Sequence, residues 1–364
     1  MAATVLTVIP YDHEKHGAAQ VRFLGEAFDA EKVAARKRVL DYMFAAMPGR
    51  DRTPLRHVIM DGDRVAASMG HLPVDFLIKG EAKAVRFTHD LLVDPRYRGK
   101  GLAKRIVENS LRHGDFLPGG MWMNEACYKI HLASGFTDMP SLVTQTLVLD
   151  TEAFAERKEM SGLKGAVARA TLDVVRARAL RSAAAGCEAA RGVRAKPVDR
   201  FDPAMDGAWL ELLKGYGLAR IRDAAWLNWK YIDHPNLDYR GLVAEKNGNI
   251  AGYLIWRKAP ASDPEKRAVV VDFLVEHGDA RTLKCLLAPV IVEAAEAKMA
   301  VLSILTTQPW AIKLLRTIGF FPRGARHWWV MGGWRGIIPD GWASDPGAWH
   351  VCMGDSDGDI WTYP

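Results

Sequence analysis

The segment LLVDPRYRGKGLAKRIVENSL, residues 91–111, narrows the fold more than any other stretch of the chain. An apolar, strand-like run stops at Asp94-Pro95, passes through Arg96-Tyr97-Arg98-Gly99-Lys100-Gly101 and opens into an amphipathic helix. Such a turn aims unpaired backbone N–H groups and the positive end of a helix dipole at one point. With three cations beside it, that point suits a phosphate. A strand, a glycine loop and a helix in this order belong to an α/β architecture.

The flanking sequence alternates strand and helix signals. TVLTVIPY reads as a strand, with helical segments following through roughly 17–47. RHVIMDGDRVAASMGHLPVDFLIKG reads as a hairpin turned at Asp61-Gly62-Asp63, with a further turn at Gly80-Glu81. AVRFTHDLLV is the strand before the glycine loop, and the helix 101–113 follows it. A short strand, GMWMN, a helix, EACYKIHLAS, and an alternating strand, SLVTQTLVLD, close the block. From about 198 the same order returns: helices, a hairpin turned at Asn247-Gly248, a strand AVVVDFLVE, a helix across 279–298, a strand and a helix. Helix-then-Gly-Phe ends both blocks, in HLASGF and LLRTIGF. The pattern is an internal duplication of one α/β unit with low residue identity.

Residues 151–197 differ from both blocks, being rich in Ala and Arg and helical in preference. Residues 151–200, which include this segment, hold eleven Lys/Arg against six Asp/Glu, so +5 of the chain's formal +6 lies there. Neither flanking block is strongly basic, which argues against a nucleic-acid-binding protein. Leu163, Val167, Ala170, Val174 and Ala177 fall near helical spacing. A solvated connecting helix is favoured over a membrane-surface helix, because Trp and Phe anchors are missing from that face. Peripheral membrane contact stays open on this charge. No apolar run reaches the ~18 residues of a membrane span, and the N-terminus lacks a secretory pattern. The scattered Cys127, Cys187, Cys285 and Cys352 show no zinc spacing. The expectation is a cytoplasmic protein with reduced thiols and no metal.

The glycine loop discriminates between phosphate-binding motifs. A P-loop needs Ser or Thr after its lysine, but Gly101 and Leu102 follow Lys100. A dinucleotide fingerprint needs a third glycine where Lys104 stands. At Arg96, Gly99 and Gly101 the chain resembles the GNAT superfamily of N-acetyltransferases, whose acetyl-CoA loop is [Gln/Arg]-x-x-Gly-x-[Gly/Ala]. LLVDP before the loop, Leu102-Ala103 after it and the helix-Ser-Gly-Phe element at 125–136 agree with that family. The likeness covers most of 1–150. Over 200–335 the element order is GNAT-like too, but VEHGDARTLK stands in place of the loop, with Gly278 alone. The resemblance therefore implies an α/β (α+β, mixed-sheet) chain of two GNAT-like domains in tandem. Residues 1–150 form a GNAT domain with the acetyl-CoA loop, 151–197 a helical linker, and 198–364 a degenerate GNAT-like domain with a Trp-rich C-terminal extension.

The resemblance further implies transfer of acetyl from acetyl-CoA, as co-substrate, to a small-molecule primary amine. Leu92, Val93, Arg96, Arg98, Gly99, Lys100, Gly101, Leu102, Ala103 and Asn124 are its implied cofactor-binding residues. Backbone N–H groups of Arg98 to Ala103 would surround the pyrophosphate, glycine allowing close approach. A strand N–H near Leu92 or Val93 would polarise the thioester oxygen. The base is sought at His89 and Asp90, where related enzymes carry Glu-Asp; Asp90 is preferred. A bulge common in this strand would decide which of the two faces the acceptor. The acid is sought at His131 or at Tyr128 one turn earlier.

Acceptor identity is less constrained. Eleven of the twelve Trp lie from Trp209 onward, and core packing outweighs sugar stacking as their reason. The tail WHVCMGDSDGDIW resembles the C-terminal stretch of bacterial tandem GNAT proteins linked to surface polysaccharide, which makes an amino sugar the first acceptor to consider. Asp355, Asp357 and Asp359 in it are candidates for holding the acceptor's cation or hydroxyls, or for a turn. A Fem-type aminoacyl transferase would not need the CoA loop that this chain retains. A non-catalytic acetyl-CoA-binding protein is the second alternative.

Overall fold

The computed structural model of the protein describes residues 6–112, 116–140, 142–185, 192–260, 263–357 and 359. The first half runs β1 (Val8–Pro10), α1 (His13–Gly25), α2 (Ala30–Ala46), β2 (Arg56–Asp61), β3 (Arg64–Ile78), β4 (Glu81–Val93), α3 (Leu102–Ser110), β5 (Leu117–Met123), α4 (Glu125–Ala133), β6 (Thr137–Asp138) and β7 (Leu142–Val148). Between the halves lie α5 (Thr151–Arg157) and α6 (Gly162–Ala184). The second half opens with β8 (Val193–Val198), α7 (Asp206–Leu213), β9 (Leu218–Arg220) and α8 (Ala224–Leu227), which passes into a π-helical turn at Asn228–Ile232. β10 (Tyr239–Lys246), β11 (Asn249–Lys258), β12 (Arg267–Val275), α9 (Ala280–Glu296), β13 (Val301–Leu305), α10 (Pro309–Ile318) and β14 (Phe321–Met331) follow. α11 (Asp340–Ser344) and β15 (Trp349–His350) belong to the C-terminal extension.

Local chemistry explains most of these boundaries. Asp12, Asp29, Asn124 and Asp279 each cap a helix by accepting a backbone N–H of the first turn. Asn247 and Gly248 both hold positive φ, at 53° and 83°, as a tight hairpin turn requires. The duplication is visible in the sheets, which are mixed in both halves. The strand order is β1-β2-β3-β4-β5-β14-β7-β13-β12-β11-β10-β8.

The two halves exchange their last strands. β7, expected to close the first block, pairs antiparallel with β13 of the second. β14, the last strand of the second half, pairs antiparallel with β5 of the first through Trp328–Met331. The two exchanged strands also pair with each other, Phe321–Arg323 against Thr144–Thr146. An exposed sheet edge is satisfied by any antiparallel strand of matching length. After a duplication the two edges are alike, so strand pattern alone does not say which edge a strand will close.

One further expectation is corrected at the connector. Residues 193–197 are not helical but belong to β8, paired with β10. The stripe of Leu163, Val167 and Val174 faces solvent, exposed by 84%, 60% and 67%. α6 packs instead through its small residues Gly165, Ala179 and Ala183, which let it approach its neighbours closely. Among the described residues no helix is long and apolar enough to cross a membrane. Most of the tryptophans are core: Trp209, Trp256, Trp329 and Trp349 are fully buried, while Trp361 lies outside the described residues.

Candidate active site

β4 lies between β3 and β5, but its parallel pairing with β5 covers only Val85–Thr88 against Leu117–Gly120. Beyond Thr88 the strand bulges. Gly70 faces His89 and Ser68 faces Leu92, so Asp90 and Leu91 stand opposite the single residue Met69. Asp90 takes a left-handed φ of 48°, a conformation that costs about 1–3 kcal/mol and clusters at functional sites. The bulge and the end of pairing open a cleft of about 320 Å³ between β4 and β5. Its walls include His89, Asp90, Leu92, Trp122, Cys127 and, from the far end of the chain, Asp357. The Asp94 N–H donates to the Ala66 carbonyl. By antiparallel alternation the N–H and C=O of Val93 then point away from β3, into the gap.

The glycine loop lies at the end of β4. Gly99 and Gly101 hold φ of 77° and 72°, and a Cβ built on either meets open space, so the bare backbone is accessible from outside. Gly101 caps α3 without a side-chain hydrogen bond, leaving the first-turn N–H groups of the helix unpaired. Leu102, 3% exposed, seats that helix in the core, while Arg98 and Lys100 stay exposed beside the loop. Arg96 is committed elsewhere: its guanidinium pairs with Asp94 at 2.6 Å and Glu26 at 3.0 Å. It braces the loop rather than reaching out from it. Asn124 caps α4 by accepting the Cys127 N–H at 2.9 Å, at the rim of the cleft.

The carboxylates of the cleft have opposite environments. Asp90 pairs with Arg36 and lies 3.5 Å from Arg56. Burial alone would raise its pKa, but His89 and the two guanidinium charges outweigh burial and hold it well below the usual carboxylate range. Asp357 has no such clamp; its Oδ2 is 4.0 Å from His89 Nδ1. Burial, aided by the nearby Asp90 charge and opposed by His89, pushes it up to about 6. His89 stands between the two, 3.7 Å from Asp90 Oδ2, beyond hydrogen-bond length. Neither of its ring nitrogens has a protein hydrogen-bond partner, although the residue is only 8% exposed. Its ring lies flat against β3, where a Cβ on Gly70 would come within 2.2 Å of it.

The two candidate acids are turned away from the cleft. His131 is fully buried, its Nδ1 donating to the Cys127 carbonyl at 2.9 Å and its Nε2 accepting from Thr88 Oγ1 at 3.2 Å. Burial lowers its pKa, and the bond to the Cys127 carbonyl only partly opposes this. The Tyr128 ring stacks on Trp328 at 5.2 Å, and burial and Asp138 raise its pKa. Cys127 does line the cleft, but burial and the Asp357 charge push its thiol up to about 12. It is an inert thiol rather than a nucleophile.

Comparison with known proteins agrees with this geometry. Residues 13–115 match the model of the acetyltransferase (GNAT) domain family. This is a GNAT fold. Solved structures that share it include a GCN5-related N-acetyltransferase from Kribbella flavida, at 13% identity over 90% of this chain and 70% of that one (TM-score 0.56). Another GCN5-related N-acetyltransferase, from Anabaena variabilis ATCC 29413, is 12% identical over 89% of this chain and 72% of that one (TM-score 0.55). Saccharomyces cerevisiae N-myristoyltransferase with bound myristoyl-CoA is 13% identical over 91% and 83% (TM-score 0.54). Among curated proteins none matches the chain in sequence.

Within this GNAT fold, Leu92, Asn124, His89 and Asp90 line one cleft, and Val93 and the loop residues 98–103 continue the chain from its β4 wall. His131 and Tyr128 do not join them. Asp355 and Asp359 are also absent, being bound inside the second half to Arg222 at 2.6 Å and to Tyr239 at 2.7 Å. Asp357 alone of the three enters the cleft. Spacing gave no signal for it: acids two residues apart in an extended strand share one side, and here Met353–Asp355 form a 3-10 turn that separates them. Arg36 and Arg56, which neutralise Asp90, carried no sequence signal either.

Proposed function

We propose that the protein is an N-acyltransferase that moves acetyl from acetyl-CoA to a primary amine, with Asp357 as the base. The observation that carries this reading is the cleft itself. A carboxylate of raised pKa lines the opening beside β4, and β4 leads from that opening to a strand N–H turned away from β3 and to an uncapped helix N-terminus, in a GNAT fold. In this reading the pyrophosphate rests on the loop N–H groups, and the thioester oxygen takes the Val93 N–H. Asp357 accepts a proton from the acceptor's ammonium. The amine nitrogen attacks the thioester carbon, the carbon–sulfur bond breaks, and the nitrogen's second proton passes through water to the departing thiolate. Asp90, preferred from sequence, is reassigned, because a carboxylate held by two arginines is a weak base. Its part is to fix the bulge that opens the cleft.

An amino sugar is the first acceptor to assay, followed by other small primary amines. A Fem-type aminoacyl transfer is disfavoured by the glycine loop. Asp357→Asn distinguishes an enzyme from a binding shell. General bases contribute ~10²–10⁴-fold, so kcat/KM at pH 7.5 should fall at least about 100-fold with acetyl-CoA affinity unchanged. The wild-type rate should rise with pH through about 6, and the variant should lose that limb. Near-normal turnover in Asp357→Asn would remove the base assignment. Acetyl-CoA binding without transfer to any amine would leave the shell.

A further inference from the structure

In the second half, parallel pairing of β12 with β13 ends at Val270–Ile304 and a bulge follows. The first half breaks its pairing in the same way, and there the space beyond is the cleft. In the second half the chain's own tail fills it. His350 Nε2 donates to the Phe273 carbonyl of β12 at 2.8 Å. Just past β13, Gln308 Nε2 donates to the Trp349 carbonyl at 2.7 Å, and the Val351 N–H donates to Thr307 Oγ1 at 3.2 Å. The tail is thus bonded to both sides of the gap it occupies.

Beyond this wedge the tail is held on either side of Asp357. Arg222 binds Asp355 before it, and Tyr239 binds Asp359 after it. Lys230, on the π-helical turn, donates to the carbonyls of Gly354 and Ser356 and lies 3.2 Å from Asp359 Oδ1. Lys230 is 1% exposed. Burying an ammonium is costly, and an apolar side chain of similar size often serves stability better. The buried cation holds the tail rather than filling the core.

We propose that the second half serves as the holder of the base: its own cofactor gap is closed by residues 347–352, and Lys230 positions Asp357 in the cleft of the first half. This rests on the reading of Asp357 as base. Lys230 touches no reacting atom and acts only through the tail. The charged and titratable groups around Asp357 are His89 and Asp90 on β4, Arg36 and Tyr42 on α2, Cys127 on α4, and Lys230 and His234 from the second half.

The test uses the full chain, with acetyl-CoA and an accepted amine. Lys230→Met should lower kcat at least about tenfold without changing acetyl-CoA affinity. It should also move the acidic limb of the pH–rate profile upward, since the lost cation lowers the Asp357 pKa. Combined with Asp357→Asn it should cost nothing further, because the two act as one unit. Tyr239→Phe, a milder change, should lower kcat a few-fold in the same manner and serves if Lys230→Met does not fold. Unchanged kcat in Tyr239→Phe and in a folded Lys230→Met, or a loss that adds fully to that of Asp357→Asn, overturns the positioning role. Calorimetry should find one CoA per chain, and two would overturn the closed gap. Normal turnover in Asp357→Asn would sink the base assignment and the positioning role with it, whereas the stoichiometry reports on the gap alone.

Discussion

The N-termini of α3 and α9 occupy equivalent places in the two halves, yet they are finished in opposite ways. α3 starts at Gly101, which offers no side chain to its own N–H groups. α9 starts at Asp279, whose carboxylate accepts the Thr282 N–H at 3.0 Å and the Thr282 hydroxyl at 2.7 Å. The first helix end is an open anion site with cations beside it. The second already holds its anion, one covalently attached. A helix cap and a phosphate site are the same physical object, and a single residue decides which it becomes. On the proposed reading, absence of the glycine loop from the second half and occupation of its gap by the tail are two sides of one specialisation.

The contrast breaks most sharply at the glycines. Gly101→Glu places a charged side chain on a left-handed backbone facing the cradle, and should abolish acetyl-CoA binding by calorimetry. Gly278→Glu carries similar backbone strain, with φ 88°, and should leave acetyl-CoA affinity untouched. Equal losses in the two variants would mean that backbone strain, not the cradle, sets the effect.

The next largest effect separates the two carboxylates of the cleft. Asp90→Asn removes the carboxylate charge that both Arg36 and Arg56 face in a mostly buried site. A broken buried pair costs about 3–5 kcal/mol, so the urea midpoint should fall by the equivalent of about 3 kcal/mol. Asp357→Asn should do the reverse. The folded-state pKa of Asp357 is raised to about 6, above the ~3.9 of an unfolded chain. Its contribution to stability is therefore fully present below the unfolded value and lost as pH rises through 6. The variant should match the wild-type Tm at pH 4 and exceed it at pH 7.5. A lower Tm at pH 7.5 would mark Asp357 as a structural acid.

The smallest effect returns to α9. Asp279→Ala should cost about 1 kcal/mol, the usual value of a lost cap. The Asp279 pKa is lowered: burial would raise it, but its bonds to Thr282 and Lys246 prevail. Its stabilisation is therefore present above the carboxylate range and fades as pH falls through it, so the two proteins should converge in acid. Freed of its carboxylate, this helix end should still bind no CoA, because the tail occupies the gap behind it. Binding of a second CoA by Asp279→Ala would show that the cap alone excludes the cofactor.

Sequence by itself determined the local elements: the glycine loop between a strand and a helix, the capped helices, the Asn247-Gly248 hairpin and the repeated order of the two halves. Each depends on residues within a few positions of one another, so chain neighbours are enough to specify them. It also implied a bulge near His89 and Asp90, but not that two arginines would meet there, because Arg36 and Arg56 come from other elements. What only the tertiary structure decided is which surfaces meet. Two duplicated sheet edges are equally good partners for β7, and three similar aspartates of the tail are equally good acids until burial and neighbours separate them. Arg222 and Tyr239 take up Asp355 and Asp359, while Asp357 is left with a histidine 4.0 Å away and no cation clamp. A carboxylate's basicity is set by the charges and burial around it, and those are contributed by residues more than a hundred positions away in the chain.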